Sequence, residues 1–536
     1  MMNKVEMLDC TLRDGAYIVN AEFGTAAIKG IMRNMQDANI KIIECGWLKN
    51  TEHILGTTFY HVPDDLKRYI VQKRKECIYT VMIDWDRYNL EYLPIYDGQS
   101  VDAIRVVFPH GKAKEGVEVG KQILEKGYRV FFQAANTLAY SKEDLVELAK
   151  EINETKAEAL SIVDTFGAMY EEDLEKIMSV LDKELNESIA LGFHSHNNQQ
   201  LSFALSIKFV EWMKENSNRM AIVDSSLCGM GRGAGNATTE LVANYLNRKQ
   251  LGNYDMDMIM DAIDTYMQPF QEKYTWGYST PYFIAGMYCC HVNNIAYLIN
   301  NHRTNAKDMR NIIQSLSSED RKKYDYDLLE EKYIQNQNRI VDDENEIANL
   351  KTKLKGKKVL LIAPGKRAIQ EKEKVEKYIA EDTPVIIDVN AITDSYPVDY
   401  LFVINDVRYE YAKNSYSDIF ESCQKILLSS VKNSADEGEH IINFSKVVKT
   451  GWEHFDNAVI YCLRLLDKLE ITEVAIAGFD EFKEGYNSSY SDPFLPTVNS
   501  TVDYKKINKE IKEMLDDFKL TNSSNMNVKL ITTSEF

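Results

Sequence analysis

Short apolar runs alternate with segments of helical spacing through the first 250 residues, and few folds accommodate that rhythm. The runs lie at 5–10, 40–45, 78–83, 103–107, 129–133, 159–163, 190–193 and 221–223. Each is the length of a strand buried on both faces. Between them, segments such as 143–153 and 201–216 place apolar residues on one helical face. Eight strand–helix units predict a (β/α)8 TIM barrel over 1–250, within an overall α/β class. Periodicity alone leaves a doubly wound sheet as the alternative.

The pattern changes beyond the barrel. Residues 251–316 predict a helical extension, with helices at 255–266 and 283–300. Residues 317–357 are highly charged, and Tyr326, Tyr333, Ile340, Ile347 and Leu354 recur every seventh position. That spacing predicts one apolar stripe on a helical linker, with a coiled-coil seam as the alternative. A second α/β pattern fills 358–536, with strands expected at 358–362, 384–389, 400–404, 425–428 and 473–477. It reads as an open, mostly parallel, Rossmann-like sheet, with a polar, aromatic loop at 486–496.

A formal charge of −19 repels phosphate backbones and argues against nucleic-acid partners. No apolar run is long enough for a membrane span, and the first residues lack the apolar core of a signal peptide. The eight cysteines are scattered without a Cys-x-x-Cys pair, as expected of reduced thiols in a cytoplasmic protein.

Charged residues recur where the predicted strands end: Arg13-Asp14, Glu44, Arg105, Asp164, His194-Ser-His196 and Asp224. Closing the barrel brings these ends to one face, where a barrel of this kind holds its site. His194 and His196 alternate on an extended segment and point to one side. With Asp14 they make a candidate facial set for a divalent metal. Arg13 beside that carboxylate is placed to hold a developing enolate or carboxylate. The loop 229–236, Gly-Met-Gly-Arg-Gly-Ala-Gly-Asn, brings unhindered backbone near the site, with Asn236 either a ligand or part of a turn. Cys228 reads as a small buried hydrophobe rather than a redox-active acid.

Three stretches together carry a family resemblance: Leu-Asp-Cys-Thr-Leu-Arg-Asp-Gly, Phe-His-Ser-His-Asn-Asn and Gly-Met-Gly-Arg-Gly-Ala-Gly-Asn-Ala-Thr-Thr-Glu. Over about residues 1–300 the chain resembles the DRE-TIM metallolyases, HMG-CoA lyase-like enzymes, and within them the 4-hydroxy-2-oxovalerate aldolases most. The resemblance implies Mn2+ or Mg2+ on Asp14, His194 and His196, with Asn236 as a further ligand. It implies that Arg13 stabilises the enolate of pyruvate or another 2-oxo acid, and that Tyr278 faces the substrate. The aldolases carry a His base where this chain has Tyr17, so either Tyr17 or a water on the metal would move the proton. The implied activity is a class II aldolase acting on a 2-oxo acid and an aldehyde or sugar, in a cytoplasmic homodimer. An acetyl-CoA-dependent Claisen acyltransferase and a non-catalytic sensor or scaffold are the rivals.

In the second domain, Ala363-Pro-Gly365-Lys366 follows a strand and opens a helix, a turn whose amides and lysine can cradle a phosphate. Asn390 and Asn405 end the next two strands. This arrangement resembles the sialyltransferase-like nucleotide-binding fold, which implies a nucleotide or nucleotide-sugar on Gly365, Lys366, Asn390 and Asn405. It also implies a place in carbohydrate or surface-polysaccharide metabolism. An inert α/β domain used for assembly is the alternative.

Overall fold

All eight apolar runs of the N-terminal region form parallel strands: β1 Val5–Asp9, β2 Ile42–Leu48, β3 Ile78–Asp84, β4 Ala103–Pro109, β5 Arg129–Ala135, β6 Ala159–Asp164, β7 Ala190–Ser195 and β8 Ala221–Ser225. They are seen in a computed structural model that describes residues 5–302, 304–432, 439–485, 487–496 and 503–536. β1 pairs with both β8 and β2, through Leu8–Ile42 and Asp9–Ile43 in the latter case, and this closes the barrel. The short strand Phe59–Tyr60 adds to the edge of β2. The chain divides into two units, Met1–Val292 and Asn293–Phe536. No helix among the described residues is long and apolar enough to cross a membrane.

Side chains alternate across a strand, so every second residue of β1–β8 faces the barrel interior. Leu8, Ile42, Ala103, Phe131, Ala159, Ala190 and Ile222 make one interior apolar layer. Two residues further along these strands, the same face turns polar with Glu44, Arg105, Gln133, Ser161 and Asp224, all buried. The other strand faces stay apolar: Val81, Ile104, Val106, Phe132, Leu160, Ile162 and Val223 join the core beneath the helices. The strands therefore begin as continuous apolar runs and acquire charge toward their C-terminal ends.

The second unit is a seven-stranded, wholly parallel sheet. Its strands are β9 Val359–Ile362, β10 Val385–Val389, β11 Tyr400–Val403, β12 Gln424–Leu428, β13 His440–Ile442, β14 Glu473–Ala477 and β15 Asn527–Leu530, in the order β13-β12-β11-β10-β9-β14-β15. The five expected strands are present, and the edge strands β13 and β15 are additional.

The seven-residue stripe does not run along one helix. The segment breaks into Ser318–Lys322, Tyr326–Gln337 and Glu344–Leu354, and Ile340 sits in a break at 87% exposure. Tyr333 packs on His302 with ring centroids 3.7 Å apart, and Leu350 and Leu354 are buried. Asp343 accepts from the Asn443 backbone at 2.9 Å and holds Lys446. The stripe is interrupted because its apolar residues meet different parts of the second unit rather than a partner helix.

His302 gives that unit a pH-dependent contact. Its Nε2 lies 2.7 Å from Glu330 and its Nδ1 3.4 Å from Asp456. Burial pulls the imidazole pKa down, but Asp456 and Glu330 outweigh it and hold the ring at about 9. The folded value lies above the ordinary one, so the stabilisation is complete below pH ~6.5 and is lost as pH rises through the folded pKa. NMR of the His302 ring should show titration near 9, and His302→Gln should make the loss of thermal stability shallower across that window.

Candidate functional site

The polar inner layer is organised by one buried cation. Arg105 Nη1 donates to Glu44 Oε2 at 2.8 Å, and its Nη2 donates to Gln133 Oε1 at 2.8 Å and to Asp224. Gln133 passes the network on to Ser161 Oγ at 3.0 Å. Beyond β1 the chain makes two single helical turns, Thr11–Asp14 and Ala16–Val19, which turn Arg13 and Asp14 inward. Asp9 pins this bend by accepting from the Thr11 amide and the Thr11 and Thr239 hydroxyls. Burial lifts the Asp9 carboxyl to about 6 against those bonds. Arg13 Nε donates to Glu44 Oε2 at 2.7 Å and Nη1 pairs with Asp14.

His194 and His196 lie against Asp14 on this layer. Their ring centroids are 5.0 Å apart, and one ligand atom from each of Asp14, His194 and His196 lies within 4.8 Å of the others. His194 Nδ1 is 3.1 Å from Asp224 Oδ2, and His196 Nδ1 is 3.2 Å from the Asp164 carbonyl oxygen. Both acceptors assign the proton to Nδ1 and leave an Nε2 lone pair on each ring. His196 Nε2 and Asn236 Oδ1 are buried without a hydrogen-bond partner, while Asn236 Nδ2 donates to Asp14 Oδ2 at 2.6 Å.

Unpartnered buried acceptors are unfavourable unless something electropositive meets them. Burial would raise the Asp14 carboxyl, but the Arg13 guanidinium outweighs it and holds Asp14 well below the carboxylate range. Burial lowers the His194 pKa and keeps that imidazole neutral. One carboxylate and two imidazoles with available Nε2 atoms form a donor set suited to a divalent metal.

The glycine loop closes over this set. A methyl on Gly231 would come within 2.6 Å of Asp14 Oδ2 and closer still to the Asn236 amide. Gly231→Ala should therefore leave a folded barrel, read by circular dichroism, with metal affinity reduced by at least about tenfold, read by calorimetry. Unchanged affinity would separate the loop from the metal set.

The remaining expected residues are placed unevenly. Tyr17 is 45% exposed, with its ring edge-on to Trp47 at 6.2 Å and beneath Arg232 at 4.8 Å. Desolvation raises its hydroxyl pKa, with Arg232 pulling the other way. A phenol with a raised pKa is protonated at neutral pH, which suits hydrogen-bond donation better than base catalysis. Tyr278 is 60% exposed and borders a cleft with Asn236, Cys228 and Trp276. No described contact joins it to Arg13, Asp14 or the two histidines. One helical turn later, in Thr280–Met287, Tyr282 lies within electrostatic reach of Arg232. Burial lifts the Cys228 thiol to about 12, consistent with a packing role.

In the second unit, Gly365 and Asn390 border a small cleft with Gly478 and Asp480. It lies at the C-terminal ends of β9 and β14, where the strand order reverses. The expected phosphate cradle is not assembled there. The Gly365 amide bonds the Gly478 carbonyl at 2.9 Å, the Lys366 amide bonds the Ser489 carbonyl at 3.1 Å, and the Arg367 amide bonds Asp480 at 2.8 Å. The Lys366 side chain is exposed and does not border the cleft. Asn405 caps the helix Asp406–Ser415, and the Asn390 side chain accepts from the Ile404 amide. The backbone amides of 365–367 and the Asn390 and Asn405 side-chain oxygens are thus engaged in turns and caps, while the Lys366 side chain is exposed.

Residues 110–266 match the HMGL-like family model. A 4-hydroxy-2-oxovalerate aldolase of Geobacillus genomosp. 3 is 24% identical over 50% of this chain and 78% of its own length. A second protein of that name, from Salinispora arenicola, is 29% identical over 50% of this chain and 76% of its own. The solved N-terminal domain of a putative aldolase from Bacteroides vulgatus is 26% identical, covers 54% of this chain and 95% of its own, and superposes with a TM-score of 0.47.

Proposed function

Because the N-terminal barrel is an HMGL-like domain of the DRE-TIM superfamily, we propose that it performs divalent-metal-dependent aldol chemistry on a 2-oxo acid such as pyruvate. The second substrate or product is an aldehyde, including the aldehyde form of a sugar. Asp14, His194 and His196 would hold the ion, Mn2+ or Mg2+, and Asn236 Oδ1 would be a further ligand. The ion supplies polarisation of the 2-oxo carbonyl. Arg13 is fixed by Glu44 and Asp14, and among the described residues its Nη2 is without a partner. That N–H group donates to the oxygen on which enolate charge develops. Tyr17, protonated and open to the mouth, hydrogen-bonds the oxygen of the aldehyde as the carbon–carbon bond forms or breaks.

The observation that carries this reading is the paired orientation of the histidines. Asp224 and the Asp164 carbonyl occupy both Nδ1 positions, leaving two Nε2 lone pairs and a carboxylate together beside Arg13. Outer partners of this kind orient metal-bound histidines. The test is pyruvate release from 4-hydroxy-2-oxo acids by the full chain, followed with a coupled dehydrogenase. Mn2+-dependent release, abolished by a chelator, is expected. Thiol release from acetyl-CoA without aldol cleavage would replace the reading with Claisen acyl transfer. Metal binding without either turnover would point to a sensor or scaffold.

A further inference from the structure

Arg232 is a cation at the site that the proposed chemistry does not use. It stands in the glycine loop between Gly231, packed on Asp14 and Asn236, and Gly233, whose φ of +66° is left-handed. It is the charged residue of Gly229–Asn236. Its guanidinium lies over the Tyr17 ring at 4.8 Å, and its Nη2 is 3.1 Å from His291 Nε2. Burial, with the Arg232 and Arg87 charges, holds His291 down at about 3. His291 is therefore a neutral acceptor that helps to aim the guanidinium. Lys49 lies on the same wall, over the Trp47 ring at 4.4 Å, and Trp47 meets Tyr17 edge-on. Asp84, 3.6 Å away, pairs with Lys49.

Arg13 and Arg232 differ in their surroundings. Arg13 is buried between Glu44 and Asp14. Arg232 is half-buried and stacks on a tyrosine that is itself 45% exposed. The chain as a whole carries −19, so its average surface repels small anions. A cation at the mouth reverses that field locally. A planar guanidinium also presents paired donors that match a carboxylate or a phosphate.

We propose that Arg232, aimed by His291 and stacked on Tyr17, forms an anion subsite beside the Asp14–His194–His196 centre, so that the aldehyde partner carries a carboxylate or phosphate. The subsite rests on the aldol reading and narrows its substrate class.

The test uses the Mn2+-loaded full chain with pyruvate as donor. Aldol addition is compared for glyceraldehyde 3-phosphate against glyceraldehyde, and for succinic semialdehyde against butanal. One anionic aldehyde should exceed its neutral counterpart by at least about tenfold in kcat/KM, chiefly through KM. The member of the pair that shows the preference separates phosphate from carboxylate. In R232Q the preference should collapse toward unity, and R232K should retain part of it. Turnover without anionic preference, or a preference unchanged in R232Q, overturns the subsite. Exchange of pyruvate methyl hydrogens by the wild-type chain is read separately. Exchange without anionic preference removes the subsite alone, whereas absence of both exchange and addition removes the aldol reading and the subsite with it.

Discussion

Asp14→Asn should lower Mn2+ affinity by about 100-fold or more, since loss of an outer partner to a metal-bound histidine alone costs 10–100-fold. Asp14 is the carboxylate of the candidate set and is held ionised beside Arg13. The amide replacement keeps the size of the side chain and removes its charge. It also leaves one acceptor oxygen where Asp14 has two, so either the bond from Asn236 Nδ2 or the bond from Arg13 Nη1 is lost. Arg13 keeps its bond to Glu44, and the barrel should fold. Calorimetric titration with Mn2+ checks the result. Affinity within about threefold of wild type would remove Asp14 from the metal set.

Arg105→Met should destabilise the chain by about 3–5 kcal/mol, the range for removing one member of a buried ionic cluster. Arg105 is fully buried and joins Glu44 and Asp224, both buried carboxylates. Without it, Glu44 retains Arg13, but among the described residues Asp224 keeps only its contact with the neutral His194 imidazole. The effect should appear as a lower melting temperature of the barrel, by roughly 10 °C. Adding Asp224→Asn to Arg105→Met should recover part of the loss, because it removes the stranded charge. A melting temperature unchanged in Arg105→Met would mean that the charged layer is solvated.

The barrel was legible because its strands are buried on both faces and read as apolar runs. Their ends were less so. β2 continues to Leu48 because Glu44 points into the polar inner layer while the strand carries on through a register shift between Glu44 and Trp47. A charge inside a strand looks, in sequence, like the end of one. β13 and β15 were missed for a different reason. They are short edge strands, and Asn527–Leu530 alternates between exposed and half-buried residues, leaving no apolar run to find.

The candidate site was partly legible. Arg13-Asp14 and His194-Ser-His196 could be read because residues next to each other in sequence stay together in space. Their orienting partners could not be ranked from local pattern. Asp224 stands at the end of another strand, 30 residues from His194. Arg232 and His291 are 59 residues apart, and only the fold joins them. Tyr278 and Tyr282 share a short aromatic stretch, and Tyr282, inside the helix Thr280–Met287, is the one within electrostatic reach of Arg232 among the described contacts. The turn at Gly365 looked like a phosphate cradle because its shape is local. The carbonyls and carboxylate that occupy its amides come from residues 478–489.

The most direct measurement of the central claim is deuterium exchange into the methyl group of pyruvate by the purified full chain in D2O, with and without Mn2+. It reports enolate formation without requiring the aldehyde to be known. Exchange that depends on Mn2+ and is lost in Arg13→Ala is the expected result. Mn2+ bound at the Asp14, His194 and His196 centre with no exchange above the protein-free rate would contradict the claim.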